Sequence, residues 1–136
     1  MTSKNIPNIP NDQKLLTETE LELMTILWRI GQGSVHDVMS GLSKDRDLAY
    51  TSVSTILRIL EQKKFIQSRK EGRGHIYFPA VSKEHYEGAS LQHLVKKVFN
   101  GTPSAMVRRL LETGDLTQEE LNSIRLLLDQ KPKRSK

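Results

Sequence analysis

Hydrophobic residues recur at helical spacing in six stretches of the chain, and two short β-prone runs separate the third stretch from the fourth. In the first stretch Leu23, Met24, Leu27, Trp28 and Ile30 share one face. Thr17-Glu18-Thr19-Glu20 precedes them in capping-box form, a hydroxyl at the N-cap and a carboxylate three residues on. Gly31 and Gly33 are expected to stop that helix. Ser34 can cap a second helix, with Asp37 in its first turn. Val35, Val38, Met39 and Leu42 supply its buried face, and Gly41 with the polar run 43–47 ends it. The third stretch, AYTSVSTILRILEQKKF over 49–65, turns Val53, Ile56, Leu57 and Leu60 inward. In FIQSRKEGRGHIYFPA, Phe65-Ile66 and Ile76-Tyr77-Phe78 are β-prone around the turn residues Glu71-Gly72-Arg73-Gly74, which predicts a hairpin with a basic tip, closed by Pro79.

Three further helices follow. Ser82 caps one that runs to about Asn100, with Leu91, Leu94, Val95, Val98 and Phe99 on one side and Gly101 after it. Thr102-Pro103 opens the next, carrying Met106, Val107, Leu110 and Leu111 up to Gly114. Thr117 and Glu120 form a second capping box before Leu121, Ile124, Leu127 and Leu128. The expected fold is mainly α with a small β-hairpin: a winged helix-turn-helix DNA-binding domain over 17–81, then a three-helix dimerisation region over 82–130. Residues 1–16 read as a flexible arm and 131–136 as a basic, disordered tail. Three helices of this length cannot bury their own apolar stripes, and a homodimer that packs them against their twins would. Leu91, Leu94, Val98, Phe99, Met106, Leu110, Leu121, Ile124, Leu127 and Leu128 are the residues expected at that interface.

The outward side of the third helix is unusual. Thr51, Thr55, Arg58 and Gln62 lie within about 60° of one another, opposite the apolar stripe. An ordinary surface helix would show Glu and Lys there, because short hydroxyl residues are mediocre helix formers. Hydroxyls can donate to or accept from base edges, and a Thr methyl can touch a thymine methyl. No carboxylate lies in the stripe to be repelled by phosphates. Arg58 has the reach for a guanine edge or a phosphate, and Arg69, Lys70, Arg73 and His75 surround the hairpin tip.

Charge supports that reading. The net charge is +5, but residues 1–48 hold five Lys and Arg against seven Asp and Glu, and 82–130 hold six against seven. The positive excess lies in 49–81, with six against two, and in the tail, with four against none. Such a patch suits a polyanion. The absence of Cys excludes disulfides, thiolate metal sites and Cys nucleophiles. No apolar run is long enough to span a membrane and no secretory h-region opens the chain, so a cytoplasmic protein is expected. His85 and His93 stand eight residues apart on one helix, about 12 Å of rise, too far to share an ion. No metal and no cofactor is therefore expected. With no phosphate-binding Gly-rich loop and no nucleophile motif, no enzymatic activity is expected either.

LTETELELMTILW, AYTSVSTILRILEQKKFI and RKEGRGHIYFPA, in this order and spacing, resemble the penicillinase-repressor (BlaI/MecI) family of bacterial transcriptional regulators, to which copper-responsive CopY repressors also belong. LVKKVFNG and DLTQEELNSIRLLL extend the resemblance over about residues 15–130. The resemblance implies a homodimeric repressor on palindromic operators with TACA/TGTA-type half-sites. By position it implies recognition-helix contacts from Tyr50, Thr51, Ser52, Ser54 and Thr55, and wing contacts from Lys70, Arg73 and His75. Two departures stand out. Arg109-Leu110 occupies the place of the Asn-Phe bond at which staphylococcal members are cleaved, and the C-terminal Cys cluster of the copper-responsive members is missing. The inducing signal is thus unknown. A competing reading keeps the winged helix but makes it a protein-interaction module, its basic wing docking an acidic partner.

Overall fold

A computed structural model describes residues 15–130. The basic tail and most of the expected arm lie outside the described residues. The elements are α1 (Glu18–Ile30), α2 (Val35–Ser40), α3 (Tyr50–Gln62), β1 (Ile66–Glu71), β2 (Gly74–Pro79), α4 (Lys83–Val98), α5 (Pro103–Thr113) and α6 (Gln118–Gln130). The order is that of a winged helix followed by three helices.

Side-chain caps open α1, α2, α4 and α6, whereas Ala49 before α3 and Thr102 before α5 make no cap hydrogen bond. At α1 the Thr17 hydroxyl accepts from the Glu20 amide at 3.2 Å, and the Glu20 carboxylate accepts from the Thr17 amide at 2.9 Å. Ser34 and Asp37 repeat this reciprocal cap at α2, and Thr117 and Glu120 at α6. At α4 the Ser82 hydroxyl accepts from the His85 amide. The strands β1 and β2 pair antiparallel from Ile66 opposite Pro79 to Glu71 opposite Gly74. Gly72 takes φ +60° in the two-residue turn between them, a conformation open to glycine at little cost.

One compact unit runs to Gln92. Leu23, Met24 and Leu27 of α1, Val38 of α2, and Val53, Leu57 and Leu60 of α3 lose all solvent contact, and Phe65, Ile66 and Val81 nearly all. Burying each such side chain contributes roughly 1.5–3 kcal/mol before ordering costs. Ile56, Met39, Leu42 and Trp28, expected in the core, are only partly buried against it. Trp28 lies at its edge and donates its indole N–H to the Val81 carbonyl at 2.9 Å. The start of α4 belongs to this unit: Tyr86 is buried, its ring 5.8 Å from that of Trp28 and 6.0 Å from that of Phe65. Its hydroxyl accepts from the Leu16 amide at 3.0 Å. Leu16 was expected in the arm, but it is buried and so is part of the core.

Gly33 also departs from expectation. Gly31, at φ +89°, is the C-cap of α1. Gly33 instead exchanges two backbone hydrogen bonds with Tyr77, of 3.0 and 2.8 Å, adding a one-residue third strand beside β2. A Cβ on Gly33 would come within 2.8 Å of the Asp37 Cβ and 2.9 Å of the Ile30 side chain, so the tight turn from α1 into α2 requires glycine.

The second unit begins at His93 and holds the end of α4 with α5 and α6. Neither α5 nor α6 contains a buried residue. Phe99, Met106, Leu121 and Ile124 are partly covered. Leu94, Val98, Leu110, Leu127 and Leu128 are exposed, the last to 71%, and so are Val107, Leu111 and Leu126. Leu91, at the end of the first unit, is likewise exposed.

Candidate DNA-binding surface

The surface is built on α3 and the hairpin. Burial of Val53, Leu57 and Leu60 fixes the rotation of α3, and that rotation leaves Thr51, Ser52, Thr55, Arg58 and Gln62 exposed. Ser54 lies at the border and is half-buried. Tyr50 opens the helix, its side chain exposed and its ring 4.9 Å from that of His36 in α2. Ala49 at the N-cap offers no side-chain acceptor to the first amides. Ile59, exposed to 36%, borders the stripe on the side of Ser52.

The hairpin has two faces. Cross-strand pairs two residues apart share a face, so Ser68–Tyr77 and Lys70–His75 lie together, and Arg69–Ile76 lies opposite. The first face looks toward α3, where the Ser68 hydroxyl donates to the Glu61 carboxylate at 2.9 Å. Burial pushes the Tyr77 phenol above its ordinary pKa, the Glu61 carboxylate adds to this, and the Arg58 guanidinium opposes it. β1 is the strand that packs against α3, while β2 packs against α1 and α2.

Lys70, Arg73 and His75 are exposed around the tip. Arg69 is not free in the same way. Its guanidinium pairs with Glu71 at 2.9 Å, donates to the Gln32 side chain at 3.1 Å and lies 5.9 Å from the centre of the Phe78 ring. It ties the outer face of the wing to the segment that carries Gly33. Arg29, similarly, donates to the Gly41 carbonyl at the end of α2. The structure thus gathers the expected recognition and wing residues on one unit. It adds Glu61, Ser68, Tyr77 and His36, none of which sequence reasoning singled out. Glu61 and Ser68 meet seven residues apart across the turn into β1, and His36 and Tyr50 lie on different helices, so no helical or strand period signals these contacts.

Among the described residues no cluster of His, Asp and Glu could hold a metal ion, and no helix is long and apolar enough to cross a membrane.

The penicillinase repressor family model matches residues 16–130. The penicillinase repressor of Bacillus licheniformis is 29% identical over 133 residues, 98% of either chain. The transcriptional regulator BlaI of Mycobacterium tuberculosis is 31% identical, covering 71% of this chain and 83% of that protein. Among solved structures, the DNA-binding domain of the repressor BlaI is 28% identical with a TM-score of 0.47, over 52% of this chain and 87% of that one. With the match running through all eight elements, the chain belongs to the penicillinase repressor family, whose members are DNA-binding transcriptional repressors and not enzymes.

Proposed function

We propose that the chain acts in the cytoplasm as a homodimer on a palindromic operator and that an inducing signal releases it. The observation that carries this reading is the exposed, carboxylate-free stripe Thr51, Thr55, Arg58 and Gln62 beside a basic hairpin tip. In this reading α3 enters the major groove, with Tyr50, Thr51, Ser52, Ser54 and Thr55 facing base edges and Arg58 a guanine or phosphate. Lys70, Arg73 and His75 meet phosphates and supply salt-dependent affinity. Arg69, engaged within the fold by Glu71 and Gln32, orients the wing.

The apolar residues left exposed on α4, α5 and α6 support the homodimer. An apolar stripe on each of three successive helices is more than a monomer ordinarily leaves to water. Two-fold pairing covers the stripes with their own copies and sets the spacing of the two α3 helices to match a palindrome. Selection from a random duplex library at moderate salt tests the reading. An enriched palindrome with half-sites about one helical turn apart, or a multiple, is expected. Retention without any enriched sequence would show that the charge binds DNA while α3 reads nothing. Absence of retention at low salt would favour a protein partner.

A further inference from the structure

The contact between His36 and Tyr50 joins two helices at the candidate surface. His36 is an exposed residue of α2, and Tyr50 is the first residue of α3. Their rings are 4.9 Å apart, tilted by 45°, a separation at which aromatic rings attract. Tyr50 stands at the start of α3 with its ring against α2, next to the stripe read as base-facing. An exposed aromatic side chain at a helix start ordinarily exchanges between rotamers, and a ring packed against it narrows that exchange.

From this geometry we propose that His36 is a positioning residue for Tyr50. Its ring holds the Tyr50 side chain in the orientation presented to DNA, so that sequence preference depends on a residue of α2 that touches no base. The proposal rests on the DNA-reading role of α3 given above. It requires a planar ring at position 36 and no charge, so His36→Phe preserves the function and His36→Ala does not.

The test is a competition experiment with the duplex enriched by the wild-type protein and a scrambled duplex of the same composition. His36→Ala, Tyr50→Ala and the double variant are compared, with the melting temperature of each recorded. Discrimination is expected to fall about three- to ten-fold for either single variant. The double variant should lose no more than one single variant does, because the two rings act as one unit. His36→Phe should restore discrimination to near the wild-type ratio. Full discrimination by His36→Ala, or additive losses in the double variant, would overturn the proposal. So would loss in His36→Phe at an unchanged melting temperature. Failure of the wild-type protein to enrich any duplex would overturn the operator reading instead.

Discussion

Single residues decide how firmly the candidate surface is held, and Glu20 is the clearest case. Its buried carboxylate caps α1 and accepts from the Lys63 ammonium at 2.9 and 3.1 Å, which ties the start of α1 to the end of α3. Burial acts to raise its pKa, but the Lys63 ammonium and the Thr17 amide and hydroxyl outweigh it, and the carboxyl titrates below its ordinary value of 4.5. A depressed carboxylate stabilises the fold above its unfolded pKa, and that contribution is lost as pH falls through the folded value. Glu20→Gln keeps the cap, since Gln serves at N3, and removes the charge. The expected loss near neutral pH is about 1 kcal/mol, moderated by the solvent access of Lys63. Urea midpoints of the two proteins should differ at pH 7 and converge as acidification carries Glu20 through its lowered folded pKa. A difference that persists in acid would show that the ion pair is not its source. The cap itself was legible in the sequence because its partners stand three residues apart. The Lys63 contact was not, because it joins residues 43 apart along the chain.

At the scale of elements, the wing is fastened on both faces before any DNA arrives. Ser68 to Glu61 holds the face toward α3, Arg69 to Gln32 holds the other, and the Gly33–Tyr77 bridge fixes the free edge of β2. The four basic tip residues of the sequence reading therefore divide in two. Arg73→Ala should weaken binding to specific and random duplexes alike and reduce the slope of log affinity against log salt by about 1. Arg69→Ala should weaken both as well but leave that slope nearly unchanged, because its charge is already paired with Glu71. Equal slope changes for the two would show that Arg69 meets phosphate directly. The hairpin was readable from two β-prone runs around Gly72 and Gly74. Its third, one-residue strand was not, because Gly33 resembles a second helix stop until its partner Tyr77 is brought beside it. The helices themselves were readable where apolar period and caps agree. The exposed Leu126 falls outside the stripe of Leu121, Ile124, Leu127 and Leu128, and periodicity passed over it.

At the scale of the whole molecule, the two units divide the work. The first holds the candidate DNA-binding surface on a well-buried core. The second has amphipathic helices with no buried residue in α5 or α6. Leu127→Glu, at a position already exposed, should leave the secondary structure of the chain intact. It should convert the dimer to monomer in light scattering, since a carboxylate in an apolar interface is costly to desolvate. Operator affinity should then fall about 100-fold or more, because the second half-site is no longer engaged within one complex. A variant that stays dimeric would move the interface away from α6.

The central claim is that α3 reads bases while the wing supplies charge, and Thr55→Ala tests it most directly. Thr55 is exposed in the middle of the stripe and carries no charge, so its loss should not alter counterion release. Affinities of wild type and variant for the enriched palindrome and for random duplex, each measured at several salt concentrations, give the answer. The expected result is about a ten-fold loss on the palindrome, little loss on random duplex and parallel salt slopes. Equal losses on both duplexes would contradict the account.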